Sequence, residues 1–519
     1  MNIAAILHEQ AKTLGDRPAI VERSRTISFA ELDRGAAAAA ADLAAAGLEP
    51  GMRALIFSPM SIALYVTLIG LFRLGVTAVF VDPSAGKERL AHCIARLRPA
   101  AFVAVPRAHL MRLVSPALRD IPIAIWIGGC LPLTARVAHR TCDAAGPVES
   151  CSPDTPAIVT FTSGSTGEPK AVVRTHGFLI AQHRALVESL ALASGDTDLT
   201  TLPIFLLANL ASGVTSVIPD ADLRAPGAIV AAPVLAQIAS LAPDRIVASP
   251  AFLERLVMRA ALTGVGLDSF RRVFTGGAPV FPGMLDAIAA LAPAAAVVAV
   301  YGSTEAEPIA RVDRRDIHAE DRDAMRRGAG LLVGRPEPSV EVRVLADRWG
   351  TPLGPWSAED LERERLGPNR IGEIVVSGDH VLAGYLDGAG DEETKIRVGA
   401  RVWHRTGDAG RFDEHGRLWL LGRCAARVED EHGVVYPFAV ECAASDIAGV
   451  RRTAFVLHQK RRVLVVELRH GAPAAAADEL LRHLAWAHID SIRVVPNIPV
   501  DRRHNAKVDY PALQALLDQ

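Results

Sequence analysis

The chain has 519 residues, half of them hydrophobic, and its formal net charge is −2. This length exceeds what one compact core usually organises, so we expect at least two domains. The hydrophobic content excludes an intrinsically disordered chain. The near-neutral charge and an aromatic content of 5% argue against nucleic acid as a partner, because a basic surface and a platform for stacking bases are both missing.

The amino terminus and the cysteines predict a cytoplasmic protein. Residues 1–18 lack the basic start and unbroken apolar core of a signal peptide. The cysteines form neither a C-x-x-C pair nor a metal-ligand pattern, which is typical of reduced thiols. Residues 60–81 are about long enough to span a bilayer. Arg73 and two glycines interrupt them, so we expect a buried helix and a strand there rather than a membrane span.

Helical and strand patterns alternate through the first part of the chain. The predicted helices cover residues 29–47, 62–75 and 87–99, and the predicted strands cover residues 53–58, 77–82 and 100–106. Helices alternating with short apolar strands indicate parallel βαβ units and an α/β fold.

A further theme recurs at residues 157–163, 245–250, 271–279 and 295–305, where an apolar strand runs into a turn of small residues. Ligands of open α/β sheets bind at such strand ends, so the four turns are candidates for one shared site. Beyond about residue 330 the pattern changes to shorter strands of more antiparallel sheets. The charge-rich segment from Val312 to Gly330 is expected to be a solvated surface connection.

One glycine- and hydroxyl-rich stretch, FTSGSTGEPK at residues 161–170, has the composition of a phosphate-binding loop. Its glycines let the backbone approach a ligand, its hydroxyls are donors, and its lysine supplies a positive charge. The spacing differs from the P-loop pattern G-x-x-x-x-G-K-[ST]. From this chemistry alone, a flexible linker remains open. The candidate residues are Thr162, Ser163, Gly164, Ser165, Thr166, Gly167 and Lys170.

The motif T-S-G-S-T-G-x-P-K resembles the signature loop of the adenylate-forming superfamily, which includes acyl-CoA synthetases, peptide-synthetase adenylation domains and luciferases. Further motifs follow in that family's order, namely TGGAP at 275–279, YGSTE at 301–305, HRTGD at 404–408, GR at 422–423 and a late Lys507. Together they extend over about two thirds of the chain. The ordered set outweighs the alternative in which each short motif is merely a turn or a surface residue.

The resemblance implies an α/β fold in two parts. Residues 1–423 would form a large domain of parallel and mixed sheets with helices and a small β-barrel-like subdomain. Residues 424–519 would form a small, mobile α+β domain carrying Lys507. ATP, Mg²⁺ and a small-molecule carboxylic acid would be bound, and the use of CoA is left open.

The resemblance also implies roles for individual residues. The loop 162–170 would close over the β- and γ-phosphates, with Lys170 contributing its charge. Gly277, Ala278 and Pro279 would line the adenine pocket, and Tyr301, followed by Gly302 and Ser303, would lie against the base. Thr304 would contact phosphate and Glu305 would hold Mg²⁺. Asp408, helped by Arg423, would accept from the ribose hydroxyls, and Lys507 would reach the carboxylate and the α-phosphate. These cations offset the repulsion between the carboxylate and ATP.

Several positions depart from the commoner pattern of the superfamily. They are Leu206 for a histidine of acyl-CoA synthetases, Ala425 for a polar hinge residue, Glu429 for a lysine, His-Asn-Ala before Lys507, Tyr510 for a frequent arginine, and Ala171 for a glycine. The hinge residue and the lysine serve a domain rotation that admits a thiol acceptor. A chain without them is expected not to transfer its acyl group to an external thiol.

One subgroup, the β-lactone synthetases of long-chain olefin biosynthesis, resembles this chain over most of its length. The resemblance implies that a 2-alkyl-3-hydroxy fatty acid is adenylated and that its own hydroxyl then displaces AMP. Two alternatives stay open, an acyl-CoA or acyl-carrier-protein ligase and a catalytically silent nucleotide- or acyl-binding relative. Partner enzymes of the same pathway are expected. The acyl pocket is predicted between residues 205–213, 249–256 and 275–279.

Overall fold

The computed structural model of the protein describes residues 2–82, 86–128, 135–136, 148–163, 169–469, 471, 476–501 and 507–519. The chain divides into two compact units. The first comprises Met1–Asp220 with Gly384–Asp391, and the second comprises Ala221–Ala383 with Glu392–Gln519. The predicted domain boundary after residue 423 falls inside the second unit and stays a prediction.

The first unit combines helices with mostly parallel strands. Its strands are β1 (Pro18–Glu22), β2 (Arg25–Ser28), β3 (Arg53–Phe57), β4 (Thr77–Phe80), β5 (Ala101–Ala104), β6 (Ile123–Trp126), β7 (Ala135–Arg136), β8 (Pro156–Ser163), β9 (Pro169–Thr175), β10 (Thr197–Thr200) and β11 (Thr215–Ile218). Its helices are α1 (Ile3–Leu14), α2 (Phe29–Ala45), α3 (Ile62–Arg73), α4 (Lys87–Leu97), α5 (Pro106–His109), α6 (Met111–Val114), α7 (Pro116–Arg119), α8 (His176–Ser189) and α9 (Pro203–Ala211).

Two strand arrays make up the sheets of this unit. Seven strands follow the order β7-β6-β5-β3-β4-β8-β9 and are parallel except for the β8–β9 hairpin. Four others follow the order β10-β11-β1-β2, with β2 antiparallel to β1. The predicted alternation of helices and parallel strands is therefore present from the start of the chain.

Close packing of α2 on α3 explains the alanine-rich run near the amino terminus. Every residue of α3 is buried. A Cβ on Gly70 would stand 2.9 Å from the Cβ of Ala39 and 3.1 Å from the carbonyl oxygen of Ala36, so small residues on both helices permit the approach. The predicted buried helix and following strand are α3 and β4. Among the described residues, no helix combines the length and apolarity that crossing a bilayer requires.

The second unit contains the remaining elements. Its strands are β12 (Arg245–Ala248), β13 (Arg272–Gly276), β14 (Ala296–Ser303), β15 (Ala306–Asp313), β16 (Leu331–Pro336), β17 (Glu341–Leu345), β18 (Gly372–Ser377), β19 (Lys395–Val398), β20 (Arg401–Phe412), β21 (Leu418–Arg423), β22 (Val428–Asp430), β23 (Gly433–Val435), β24 (Val450–His458), β25 (Arg461–Leu468) and β26 (Ser491–Val495). Helices α10 (Ala231–Leu241), α11 (Pro250–Thr263), α12 (Pro282–Leu291), α13 (Ala319–Arg326), α14 (Ala358–Glu364), α15 (Asp391–Thr394), α16 (Pro437–Ala444), α17 (Ala476–His483) and α18 (Tyr510–Leu517) complete the set.

The strand directions change along the main sheet of this unit. β12, β13 and β14 are neighbours and parallel, and the order continues β15-β16-β21-β20-β18-β17 with antiparallel pairing, while β19 pairs with β20. The predicted shift to antiparallel strands is confirmed. Of the four strand ends proposed for one site, three lie on adjacent strands here, and the fourth, at the end of β8, belongs to the sheet of the first unit.

The carboxyl-terminal part of the second unit is a small α+β assembly. β24, β25 and β26 form a three-stranded sheet that is buried on both faces. One face carries Phe455 and Leu464 and packs on α16 and α17, and the other carries Val465 and packs on α18. The predicted fold class, α/β with mixed sheets and a small carboxyl-terminal α+β part, is confirmed.

The segment Val312–Gly330 is not the solvated connection expected from its charge. It completes β15 and then forms α13, whose Met325 is buried. Asp321 of this helix is also buried and receives two bonds from the guanidinium of Arg417, at 2.7 and 3.0 Å. The prediction was wrong because these charges have partners far along the chain, which composition alone does not reveal.

Candidate active site

Two parallel strands of the second unit end in residues that the motifs single out. β13 ends at Gly276 and runs into residues 277–279, while its neighbour β14 contains Tyr301. A Cβ at position 276 would stand 2.5 Å from the carbonyl oxygen of Val300, so glycine is needed there. Gly277 has a φ of +83°, which glycine adopts without strain. The turn 277–279 therefore begins beside the strand that carries Tyr301.

Tyr301, Asp408 and Arg423 form one group, joined by a hydrogen bond and an ion pair, which we call the Asp408 cluster. The hydroxyl of Tyr301 donates to Oδ2 of Asp408 over 2.7 Å. The Oδ1 atom lies 3.2 Å from Nη1 of Arg423, which faces Asp408 across the β20–β21 pairing. Burial, followed by the Asp408 charge, raises the pKa of Tyr301 well above its usual range, so the phenol remains a donor. Each carboxylate oxygen keeps lone pairs for additional donors.

Contacts of neighbouring residues fix the part of β20 in which Asp408 stands. The hydroxyl of Thr406 accepts from the N–H of Asp408 at 3.1 Å and donates to the carbonyl of Ile374 at 2.8 Å. Gly407 has a φ of +69°, and a Cβ there would lie 2.9 Å from the ring of Trp349. These supporting residues were not singled out from the sequence. Thr406 and Gly407 lie inside the HRTGD motif, which was the available signal. Ile374 and Trp349 lie outside any motif and gave no signal.

A buried ion pair holds the same strand through Arg405. The side chains of Arg405 and Glu373 are both inaccessible to solvent, and Nη2 of Arg405 lies 2.6 Å from Oε2 of Glu373. The guanidinium also donates to the carbonyls of Arg348 and Thr351. Burial raises the pKa of Glu373, and Arg405 opposes this effect. Because the Arg405 guanidinium has several partners, its burial is tolerated. These bonds also hold β20 in place.

Thr304 and Glu305 stand at the turn between β14 and β15. The register of these strands shifts between Tyr301 and Ser303, which is the sign of a bulge. The N–H of Glu305 donates to the hydroxyl of Ser303 at 3.3 Å, and the carbonyl of Glu305 accepts from the N–H of Leu382 at 2.7 Å. The turn is thus held through its main chain, and the Glu305 carboxylate is only partly buried.

Lys507 lies within electrostatic reach of the residues just described. Its N–H donates to Oδ1 of Asp501 at 3.0 Å, and its side chain keeps contact with solvent. The pKa of Lys507 is lowered by desolvation and next by Arg423, while Asp408, Asp501 and Glu305 act in the opposite direction. These groups therefore act on the Lys507 ammonium although the residue as a whole is exposed. The structure brings a cation, a partly buried carboxylate and the Asp408 cluster into one region of the second unit.

The predicted phosphate loop belongs to the first unit and is described in part. Thr162 pairs with Lys170 across the β8–β9 hairpin. Gly164, Ser165, Thr166 and Gly167 lie outside the described residues, as does the side chain of Ser163.

Lys170 is enclosed by the segment 384–391 of the same unit. It is 7% exposed, and its Nζ lies 5.5 Å from the centre of the Tyr385 ring. A Cβ on Gly390 would stand 2.4 Å from Cε of Lys170. Tyr385 and Gly390 therefore shape the position of the ammonium, and nothing in their local sequence indicated this contact.

Asp347, Arg427 and Tyr436 form a second group around a carboxylate, which we call the Asp347 cluster. The Tyr436 hydroxyl donates to Oδ2 of Asp347 at 2.8 Å, and Nη1 of Arg427 lies 3.4 Å from the same oxygen. Nε of Arg427 lies 3.4 Å from Oε2 of Glu429, one of the positions that depart from the family pattern. Ala425, the other hinge departure, sits in a short 3₁₀ turn. The segment after residue 424 is thus tied to the loop after β17.

Two other departures lie in packed surroundings. Leu206 is fully buried in an extensive apolar cluster of the first unit, on α9. Burial raises the pKa of Tyr510 well above its usual range, and Glu441 adds to the effect. The segments expected to line an acyl pocket include α9 of the first unit and the start of α11 of the second, and their role stays a prediction.

The chain matches known proteins over its whole length. The profile of the family described as "AMP-binding enzyme" covers residues 7–386. An olefin β-lactone synthetase of Stenotrophomonas maltophilia is 35% identical, over 98% of this chain and 96% of the relative. A second one, from Xanthomonas campestris pv. campestris, is 35% identical over 93% of this chain and 89% of the relative.

A solved structure shares the fold. It is an amide bond synthetase from Marinactinospora thermotolerans, which superposes with a TM-score of 0.80 at 23% identity and covers 99% of both chains. At this identity the likeness concerns the fold alone. The sequence matches, however, are long enough to fix the family. The chain belongs to the AMP-binding enzyme family, the adenylate-forming enzymes that its motifs resemble.

Proposed function

We propose that this enzyme activates a 2-alkyl-3-hydroxy fatty acid with ATP and closes it to a β-lactone, releasing pyrophosphate and AMP. The observation that carries the proposal is the full-length similarity to two olefin β-lactone synthetases. The site geometry supports nucleotide binding and adenylation, which are the first steps that this reaction needs.

The Asp408 cluster would bind the ribose of ATP. Its carboxylate accepts from Tyr301 and lies beside Arg423, and the remaining lone pairs suit two vicinal hydroxyls. Because the Tyr301 hydroxyl is already engaged by Asp408, the face of its ring is the part left to contact adenine. The turn 277–279 begins beside this strand, which supports its assignment to the edge of the base.

The phosphates would be held by hydroxyls, a carboxylate-bound Mg²⁺ and Lys170. The Glu305 carboxylate fits Mg²⁺, which prefers oxygen ligands and usually takes one or two carboxylates together with phosphates. When bound, this ion offsets negative charge on the phosphates. Thr304 stands next to Glu305 on the same turn and would contact the phosphates. The family resemblance assigns phosphate contacts to Lys170 and to the loop 162–167 as well.

Adenylation joins the substrate carboxylate to the α-phosphorus. A carboxylate oxygen forms the new P–O bond as the bond to pyrophosphate breaks, so negative charges converge at one atom. Lys507 would stabilise that charge, and its electrostatic coupling to Asp408 and Glu305 supports this assignment.

Lactone closure then uses a nucleophile within the same molecule. The 3-hydroxyl oxygen attacks the acyl carbon, the bond to AMP breaks, and the hydroxyl proton is released to solvent. The tether replaces a second substrate, because the hydroxyl is already beside the mixed anhydride. No thiol is consumed in this step.

The contacts of the hinge region, around Ala425 and Glu429, favour the substrate's own hydroxyl over an external thiol as the acceptor of the acyl group. Glu429 places a negative charge where the family pattern has lysine, and it faces Arg427. Arg427 and Tyr436 hold Asp347, which ties the segment after Ala425 in its present position. A domain rotation for thioester formation would have to break these contacts.

Mass spectrometry of the products tests the proposal. The enzyme is incubated with Mg²⁺, ATP and a 2-alkyl-3-hydroxy acid, with and without CoA, beside a plain fatty acid as the matched substrate control. We expect pyrophosphate, AMP and a product lighter than the hydroxy acid by one water, regardless of CoA.

Turnover of the plain acid only when CoA is present would contradict lactone formation and favour the ligase. An absence of pyrophosphate from all the acids would indicate a silent relative instead. The cytoplasmic location, the partner enzymes and any use of CoA stay predictions.

A further inference from the structure

A buried lysine of β19 lies between two parts of the site and has no role in the functions described so far. Lys395 is 5% exposed and faces His404 across the β19–β20 pairing. Its Nζ donates to the carbonyl of Leu382 and lies 3.1 Å from Nδ1 of His404. Burying an ammonium is unfavourable unless acceptors surround it, and both of these acceptors are themselves buried.

The imidazole of His404 is suited to accept from this lysine. Burial lowers the pKa of His404 to about 3, and Lys395 adds to the effect, so the ring is neutral. Since an ammonium only donates, Nδ1 of His404 is the accepting nitrogen and its proton resides on Nε2. The carbonyl of Thr394 lies farther from Nδ1, at 3.3 Å. The contact therefore links β19 and β20 through side chains as well as through the sheet.

The same lysine is connected to the Glu305 turn through Leu382. The carbonyl of Leu382 accepts from Lys395, and its N–H donates to the carbonyl of Glu305 at 2.7 Å. The neighbouring Val381 pairs with Ala306 in an isolated bridge. A continuous series of hydrogen bonds thus runs from β20 through Lys395 and Leu382 to the turn that carries Glu305.

Strand β20 carries Asp408 four positions beyond His404. Lys395 therefore joins the strand of the proposed ribose contact to the turn of the proposed metal contact. We propose that Lys395 is a positioning residue that fixes the Glu305 carboxylate relative to Asp408, so that the metal ion and the nucleotide are correctly placed with respect to each other. This inference rests on the proposed function for the identity of both ligands.

Metal affinity in the nucleotide complex tests this role without turnover. Mn²⁺ is titrated into the full-length protein with α,β-methylene-ATP and followed by electron paramagnetic resonance. Replacing groups that orient a metal ligand commonly weakens binding 10- to 100-fold, so we expect Lys395→Met to raise the Mn²⁺ dissociation constant about 10-fold. The affinity for the nucleotide analogue alone should change little. Hydrogen exchange at the Leu382 amide should become faster.

A matched control separates positioning from stability. Arg417→Met removes a partly buried cation just before β21, one that pairs with Asp321 and Asp413 and has no bond to the Glu305 turn. It should lower the melting temperature and leave the Mn²⁺ affinity as in the wild type. If both variants lose Mn²⁺ affinity in proportion to their stability, the positioning role is overturned.

His404 provides a second route should Lys395→Met fail to fold. His404→Leu removes the acceptor and should weaken Mn²⁺ binding, whereas His404→Gln keeps an acceptor and should restore it. Wild-type Mn²⁺ affinity in a folded Lys395→Met or His404→Leu variant overturns the inference. A wild type that binds Mn²⁺ with the analogue but releases no pyrophosphate contradicts the proposed function alone. A wild type that binds no Mn²⁺ overturns the inference as well.

Discussion

The Asp408 and Asp347 clusters contain the same three residue types in different arrangements. Each carboxylate accepts from a tyrosine hydroxyl, at 2.7 Å in the first and 2.8 Å in the second. In the Asp408 cluster, the tyrosine and the arginine hold different oxygens. In the Asp347 cluster, the tyrosine and the arginine both contact Oδ2, while the backbone N–H of Trp349 donates to Oδ1.

The two clusters differ in their surroundings rather than in their composition. Asp347 receives its donors from both sides of residue 424, so its bonds connect two parts of the chain. Asp408 receives them within one region, and the charges of Lys507 and Glu305 act on that same region. We therefore expect the Asp408 cluster, near which further charges lie, to bind a ligand, and the Asp347 cluster to act as a structural tie.

The largest expected effect concerns Lys507, which belongs only to the surroundings of Asp408. Lys507→Ala should lower the adenylation rate about 10²- to 10³-fold, as removal of a group that stabilises developing charge does. ATP affinity, measured by calorimetry, should remain. Because its pKa is lowered, Lys507 loses its proton at a lower pH than a free lysine, so pyrophosphate release should decline early on the alkaline side. A wild-type rate in the variant would remove Lys507 from the mechanism.

Exchanging each carboxylate for alanine compares the clusters directly. Asp408→Ala should weaken ATP binding about 10- to 100-fold, since hydrogen bonds to a charged group contribute about 1.5–3 kcal/mol. Asp347→Ala should leave ATP affinity unchanged. It should instead lower the free energy of unfolding by about 1–3 kcal/mol, because it leaves the Tyr436 hydroxyl unpaired.

Calorimetric titration and thermal unfolding of both variants measure these effects. If Asp347→Ala weakens ATP binding as much as Asp408→Ala does, the two clusters do not differ in function.

The smallest effects come from removing single hydroxyls. Tyr301→Phe frees one lone pair of Asp408 and removes one bond, so ATP affinity should change by about 1 kcal/mol or less. Tyr436→Phe should leave ATP affinity unchanged. It should make the peptide bonds after residue 424 easier to cleave in limited proteolysis, because this segment loses its hydrogen bond to Asp347. Equal protease resistance of Tyr436→Phe and the wild type would show that the Asp347 cluster does not restrain this segment.

Local patterns in the sequence predicted the fold class and many elements. The alanine run of α2, the apolar α3 and the strand ends before residues 277 and 301 all have short-range signals, namely period, composition and glycine. The motif order singled out Tyr301, Asp408 and Arg423, which the structure joins through a hydrogen bond and an ion pair. Their assignment to ATP stays a prediction.

Partners distant in the chain could not be predicted in this way. Helix α13 was missed because its buried Asp321 is paired with Arg417, about a hundred positions later. Lys395 and Asp347 gave no signal either, since an isolated lysine or aspartate is usually exposed. Their burial follows from how β19, β20 and the loop after β17 assemble, which depends on the whole sheet.

The contact between Arg427 and Glu429 makes the two positions depend on each other. Placing lysine, the residue of the commoner family pattern, at position 429 would set two cations side by side, and Arg427 would lose one of its anionic neighbours. We therefore expect the effect of a lysine at position 429 to depend on the residue at position 427. Engineering a thiol-transferring variant of this chain would accordingly require both positions to be changed together.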